Sequence, residues 1–259
     1  MLLVIDVGNT NSVLGLYEGD RLVEHWRVAT QPHITTDELG ITYLALFAAR
    51  GVERSCVQAA IVSSVVPPKT HSIRRACRRY FDVEPTFVTW ETDTGIALHY
   101  DNPKEVGADR IVNAVAAYHE YRQSCIVVDF GTATTFDVVV APGAYTGGVI
   151  APGLGVSLDA LIGRAARLPK VEIKKPESIM GNNTISAIQA GAVYGYVGLV
   201  DGIVKRLVDA HDEDFKVVAT GGLANLVTEE STYIEAVRPF LTLDGLRLIH
   251  ERLLAVGPA

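Results

Sequence analysis

The chain opens with apolar runs too short for helices and closely spaced. Residues 2–7, 12–17 and 21–28 are rich in Leu, Val and Ile and predict three strands. A helix is expected over about 36–50, with Asp37 and Glu38 near its positive end. The run 59–65 predicts a buried strand stopped by Pro67-Pro68, then a helix over 69–80 and a short strand at 86–88. Between about 90 and 107 the sequence turns polar, with Gly and Pro punctuation, as a loop bordering a site would. Ile111, Val112, Val115 and Tyr118 then fall at helical spacing.

The pattern restarts in the second half. Strands are expected near 125–130, 135–140 and 144–150, then a helix from about 157 and a charged, irregular connection over 170–180. A long apolar helix follows, then a strand at 215–220 and a closing helix. A strand triplet followed by alternating helix and strand, twice over, predicts a duplicated α/β fold with mixed sheets, divided at 1–117 and 118–259. The stretch 185–204 has the length of a membrane span, but Gln189 and Asp201 would be costly in lipid and no basic flank precedes it. A buried soluble helix is expected instead. Its glycines, Gly191, Gly195, Gly198 and Gly202, share one face and would admit another helix closely, from this chain or a second subunit.

The restart is also one of wording. Leu2-Leu3-Val4-Ile5-Asp6-Val7-Gly8-Asn9-Thr10-Asn11 is echoed by Ile126-Val127-Val128-Asp129-Phe130-Gly131-Thr132-Ala133-Thr134. Each copy is a strand, an Asp-x-Gly turn with small hydroxyl residues, and a returning strand, which makes a β-hairpin. Such a turn presents N–H groups and hydroxyls to an anion, and the strand-end Asp offers a hard oxygen to an accompanying cation. Two copies suggest two related halves closing on one nucleotide. Neither a Gly-x4-Gly-Lys-[Ser/Thr] loop nor a Gly-x-Gly-x-x-Gly turn after a strand is present, so P-loop and dinucleotide readings lack their motif.

Composition narrows the partners. A net charge of −7 and pI near 5.5 speak against nucleic acid, and Arg74, Arg75, Arg78 and Arg79 read as one solvated helix face. Cys56, Cys77 and Cys125 have no metal-ligand spacing and an odd count, which suits a reducing, cytoplasmic compartment. Asp6 interrupts the first apolar run, so no signal peptide is expected. Asp109 can be read as a catalytic base or as the N-cap of a helix starting at Arg110, with Val112 where a capping box would need Glu or Gln. Thr184, before an apolar run, also looks like a cap. On these grounds alone the chain is an ATP-dependent phosphotransferase or ATPase.

Taken together, the two Asp-x-Gly hairpins, Gly107-Ala108-Asp109-Arg110, Gly147-Gly148-Val149-Ile150-Ala151-Pro152-Gly153 and Thr220-Gly221-Gly222-Leu223-Ala224 are more specific than any one of them. The chain resembles, almost end to end, the type III pantothenate kinase family of the acetate and sugar kinase/Hsp70/actin fold group. The resemblance implies two actin-like (ribonuclease H-like) domains with mixed β-sheets flanked by helices. It also implies ATP-dependent phosphorylation of pantothenate to 4′-phosphopantothenate, the first step of coenzyme A biosynthesis. Asp6, Val7, Gly8, Asn9, Thr10, Asn11, Ser12 and Val13 would cradle ATP phosphates, with Asp6 holding Mg2+ through water. Thr132 would meet phosphate, Asp129 a monovalent cation (K+ or NH4+), and Gly221 and Gly222 the adenosine. Asp109 would be the base, while Tyr100, Gly107, Ala108, Asp109, Arg110 and Thr184 would contact pantothenate, Arg110 suiting its carboxylate. A homodimer without nucleic-acid or membrane partners is implied. Another small-molecule kinase or phosphatase of the fold group, or a non-enzymatic transcription-accessory protein, is the alternative.

Overall fold

A computed structural model describes residues 1–31 and 33–257. The chain forms two compact units, one of Met1–Ala116 with the segment from Thr242 onward, the other of Ala117–Leu241. The first unit contains β1 (Leu2–Val7), β2 (Asn11–Glu18), β3 (Arg21–Ala29), α1 (Thr36–Ala49), β4 (Ala59–Ser64), α2 (Pro67–Ala76), β5 (Pro85–Phe87) and β6 (Ala97–Leu98). Helix α3 (Ala108–Tyr121) runs across the division. The second unit contains β7 (Cys125–Phe130), β8 (Ala133–Val140), β9 (Ala144–Pro152), α4 (Leu154–Arg164), α5 (Thr184–Asp209), β10 (Lys216–Gly221), α6 (Ala224–Thr228) and β11 (Ala236–Val237), and α7 (Leu241–Val256) ends the chain.

The duplication expected from the pattern holds strand by strand. The first unit's sheet runs β3-β2-β1-β4-β5, and the second repeats it as β9-β8-β7-β10-β11. In both, the first three strands are antiparallel neighbours and the last two join in parallel. Strands β1 and β7 share one burial pattern, four buried residues, a half-buried Asp and a buried apolar residue. Central strands covered on both faces need such near-continuous apolar runs, and the Asp is tolerated only because it stands at the strand end.

Each sheet carries its own core. Leu3, Ile5, Val7, Leu14 and Leu16 pack with Tyr43, Phe47, Ile73 and Phe81 in the first unit. Ile126, Val128 and Phe130 pack with Tyr196, Val200 and Val204 of α5 in the second. Helix α5 is long and apolar enough to cross a membrane, yet Val193, Tyr196, Val200 and Val204 are buried within its unit. Its Asp201 is engaged too, accepting from Ser231 Oγ at 2.5 Å and Thr232 Oγ1 at 2.9 Å.

Three expectations need correction. The sequence division at 1–117 and 118–259 puts the C-terminal helix in the second half, whereas the segment from Thr242 packs with the first unit. Polar anchors hold it there: Thr242 Oγ1 donates to Asn113 Oδ1 at 2.7 Å, and Tyr17 Oη to Asp244 Oδ1 at 2.7 Å. At Gly245 a Cβ would lie 2.2 Å from the Val112 carbonyl oxygen, so α7 sits closer to α3 than any side chain permits. Gly245→Ala should therefore lower stability by about 1–3 kcal/mol, a loss that chemical denaturation would register and that wild-type stability in the variant would refute. Second, α4 begins at Leu154 rather than near 157, with Gly153 as its N-cap. Third, the helix expected over 69–80 is α2 continued by a π-helical turn, Cys77–Phe81. The short elements α6 and β11 had no counterpart in the sequence expectation.

Candidate active site

The first hairpin closes with Gly8 N donating to Asn11 O at 3.0 Å, leaving Asn9 and Thr10 at an exposed two-residue apex. Asp6 pairs with Val13 at the end of β1, half-buried. Thr30 N donates to Thr10 O at 2.9 Å, tying the segment after β3 to the apex. Ser12 pairs with Val7, so its side chain shares the core face, where its Oγ meets Thr30 Oγ1 at 2.8 Å. Its contribution to an anion at the apex would therefore come from its backbone. Side chains alternate along a strand, which puts the Asp6 carboxylate on the opposite face from Val7.

The second hairpin has the same arms and a tighter end. Phe130 pairs with Thr134, Gly131 N donates to Ala133 O at 3.0 Å, and Thr132 alone forms the exposed apex. Behind it stands the start of α4. Gly153 N donates to Thr132 O at 3.1 Å, and a Cβ on Gly153 would lie 2.4 Å from that oxygen. The absence of a side chain at 153 thus lets a helix N-terminus reach the hairpin, bringing its positive dipole end to the turn. Thr134 Oγ1 bonds Tyr196 Oη, which also donates to Pro152 O at 3.0 Å, so α5 holds the hairpin arm in place. Sequence reasoning did not single out Gly153 or Tyr196, and only the Gly-rich run before α4 hinted at the former.

Asp129 and Gly221, predicted separately, are neighbours. Strands β7 and β10 pair Asp129 with Thr220, and a Cβ on Gly221 would lie 2.7 Å from Asp129 Oδ1 and 2.6 Å from Phe130 O. Gly221 has φ of +93°, a conformation that L side chains rarely adopt. Gly222 N donates to Phe130 O at 3.2 Å, fixing the loop against the hairpin strand.

Asp109 is not the N-cap. Gly107 O accepts from Ile111 N at 3.2 Å, the first intrahelical bond, which makes Gly107 the cap and Asp109 the second helical residue. A Cβ on Gly107 would lie 2.5 Å from Asp109 Oδ1, so the carboxylate folds over the space the glycine leaves. The same Oδ1 accepts from Arg110 N at 2.8 Å. Burial pushes the Asp109 carboxyl above its ordinary value, outweighing the Arg110 N–H bond and guanidinium charge, which pull it down. A carboxylate so disposed is a better proton acceptor than a solvated one. Arg110 is buried, and Tyr100 is half-buried in the irregular stretch after β6.

Thr184 is not a cap either. Asn183 caps α5, its Oδ1 accepting from Ser186 N at 2.9 Å, and Thr184 is the exposed first residue of the helix. No hydrogen bond joins Thr184 to the other predicted site residues among the described residues. No group of three or more His, Cys, Asp or Glu poised for a metal is present among the described residues. A strand-end Asp6 beside a turn of small polar residues fits Mg2+, which keeps several waters and takes few protein carboxylates when it travels with a nucleotide.

Two sheets of one topology, each opening on an Asp-x-Gly hairpin, make this a duplicated actin-like α/β protein. Solved structures agree on the fold: an ethanolamine utilization protein EutJ from Carboxydothermus hydrogenoformans (TM-score 0.57, 17% identity, covering 95% of this chain and 89% of that one). Component A of (R)-2-hydroxyglutaryl-CoA dehydratase from Acidaminococcus fermentans is similar (TM-score 0.54, 16% identity, 96% and 95% covered). Residues 2–206 match the type III pantothenate kinase family, and the chain belongs to that family. Type III pantothenate kinases of Koribacter versatilis and Geobacter sulfurreducens are 53% and 55% identical to it, over 97% of this chain and 96% and 99% of theirs.

Proposed function

We propose that the protein transfers the γ-phosphoryl group of ATP to the primary hydroxyl of pantothenate, giving 4′-phosphopantothenate and ADP at the start of coenzyme A synthesis. The observation that carries this reading is family identity above one half across nearly the whole chain, with the Gly107–Arg110 motif intact. That membership also favours an enzyme over the transcription-accessory alternative.

Each residue has a task set by its surroundings. The hydroxyl oxygen attacks the γ-phosphorus, the bond to the β-phosphate oxygen breaks, and the hydroxyl proton passes to Asp109. Phosphoryl transfer of this kind is governed by alignment and charge stabilisation, so a modest base suffices. The apex N–H groups of the first hairpin hold the phosphates, and Thr132 with the α4 N-terminus holds them at the second. When bound, Mg2+ offsets phosphate charge, with Asp6 as its water-mediated ligand. Asp129 takes the monovalent cation, and Gly221-Gly222 offers flat backbone to adenosine. Arg110 binds the pantothenate carboxylate, with Tyr100 and Thr184 completing acceptor recognition.

The glycine stripe of α5 supports a homodimer. Gly191, Gly195 and Gly198 are exposed, and a Cβ at any of them would meet nothing within 4 Å. Reducing-compartment cysteines, all free, fit a cytoplasmic enzyme.

ADP release measured with and without pantothenate, beside a panel of sugars and other acids, tests the reaction. Turnover should require pantothenate and place phosphate on its terminal hydroxyl, and equal turnover without it would sink the assignment. Arg110→Lys keeps the charge but loses the planar fork, so KM for pantothenate should rise by about tenfold with a smaller change in kcat. An unchanged KM would remove Arg110 from the acceptor site.

A further inference from the structure

Beneath the first hairpin, inside the first unit, lies a cavity of about 290 Å³ that the reaction does not use. Its lining comes from β1 and β2 (Val7, Ser12), the segment after β3 (Thr30, Gln31), α1 (Thr42, Tyr43) and α2 (Lys69, Ile73), among others. Ser12 and Val7 face it from the core side of the sheet, the face opposite the Asp6 carboxylate.

Two of its polar residues are out of place in a core. Lys69 is 4% exposed and Tyr43 1% exposed. Neither the Lys69 ammonium nor the Tyr43 phenol makes a hydrogen bond or ion pair with any described residue. Lysines are seldom buried so far without a carboxylate to meet them, and the Lys69 ammonium is not itself fully enclosed but opens into the cavity. Burial accordingly pulls the Lys69 ammonium below its ordinary value and pushes the Tyr43 phenol up. Both groups can donate to an anion, and both line the same space. Around them stand hydroxyls with acceptor or donor capacity to spare, Thr42 Oγ1 giving its proton to Glu38 O at 2.7 Å and Thr30 Oγ1 sharing one with Ser12 Oγ. Leu39, Ile34 and Ile73 make the rest of the wall apolar. With water occupying about 30 Å³ per molecule in the liquid, the space admits an oxyanion with a short carbon stem.

We propose that this cavity is a binding site for a small oxyanion, a phosphate or carboxylate group held by Lys69 Nζ and Tyr43 Oη, separate from the nucleotide site. Its position gives it a route to the chemistry. Thr30 lines the cavity and at the same time ties its backbone N–H to Thr10 O at the hairpin apex. A ligand that orders this segment would also order the apex, so its occupancy and nucleotide affinity would be linked reciprocally. The site does not depend on which acceptor the enzyme phosphorylates.

The test uses the full chain with its lysines 13C-methylated and the Lys69 resonance assigned by its loss in Lys69→Met. A non-hydrolysable ATP analogue with Mg2+ is kept saturating so that both hairpins are occupied. Inorganic phosphate and succinate are titrated separately at constant ionic strength, and the tighter of the two names the group the site prefers. The Lys69 resonance should shift saturably, with a Kd on the order of millimolar or tighter, while the exposed lysines drift only linearly. Tyr43→Phe should weaken binding by about tenfold through loss of one donor to a charged acceptor. No saturable shift with either anion, or a shift seen only when the nucleotide analogue is left out, would overturn the proposal.

Discussion

Asp109→Asn will lower the turnover number by about a hundredfold or more, in the range typical of a lost general base, while leaving the protein at least as stable as the wild type at neutral pH. The first half follows from chemistry, because the amide cannot take the hydroxyl proton. The second follows from burial. The Asp109 carboxyl titrates above its unfolded value of 3.8, mainly because desolvation disfavours its charge. Below pH 3.8 both folded and unfolded forms are protonated and the charge costs nothing. As pH rises from there through the raised folded pKa, the unfolded chain ionises more readily than the folded one, and wild-type stability falls to a plateau. Asn escapes that loss and can still accept from Arg110 N through its Oδ1. The melting-temperature gap between variant and wild type should therefore open on going from pH 4 to 7, in favour of Asn. Near-normal turnover in the variant would defeat the catalytic role, and a lower neutral-pH melting temperature would defeat the burial argument. ATP binding should be little changed, since the phosphates are proposed to sit on the hairpins and not on Asp109.

Gly221→Ala will damage both stability and the response to monovalent cations. The methyl group would enter a space 2.6 Å from Phe130 O and 2.7 Å from Asp129 Oδ1, on a backbone at φ +93°. Strain of this kind costs about 1–3 kcal/mol, measurable by denaturant unfolding. The Asp129 carboxylate is the softer of the two obstacles and should swing aside. Activation by potassium or ammonium over sodium should then fall toward that of Asp129→Asn, which loses the ligand oxygen without the backbone strain. A wild type indifferent to cation identity would remove Asp129 from that role. A Gly221→Ala protein of unaltered stability would show that the loop can yield more than its packing indicates.

The site residues were legible to different depths. Both hairpins could be read because their signal is local, an apolar strand, Asp-x-Gly and a returning strand. Their difference could not, since a two-residue apex at Asn9-Thr10 and a single-residue apex at Thr132 depend on which residues pair across the turn. The capping box Thr35-x-x-Glu38 went unread in the sequence, yet both of its bonds form, Glu38 N to Thr35 Oγ1 at 3.3 Å and Thr35 N to Glu38 Oε2 at 2.9 Å. At α3 and α5 residue preference made Asp109 a possible cap beside its reading as a base, and made Thr184 look like one. Gly107 and Asn183 take those places, because the chain enters each helix one or two residues earlier than the apolar pattern begins. The elements α6 and β11 are too short to carry a period at all.

What the sequence determined by itself was the longer strands, their duplication and the chemistry at two strand ends, all of it written in residues within one hairpin or one helical turn of each other. Tertiary structure decided what depends on distance between remote residues. It placed α7 on α3 through the missing side chain of Gly245, and the N-terminus of α4 on the second hairpin through that of Gly153. It set the Asp129 carboxylate against Gly221 and enclosed Lys69 and Tyr43 around one cavity. It also decided that at Asp109, one carboxylate among many in an acidic chain, burial disfavours the charge. Desolvation and close approach are properties of packing, and no spacing along a chain records how near two distant segments will come.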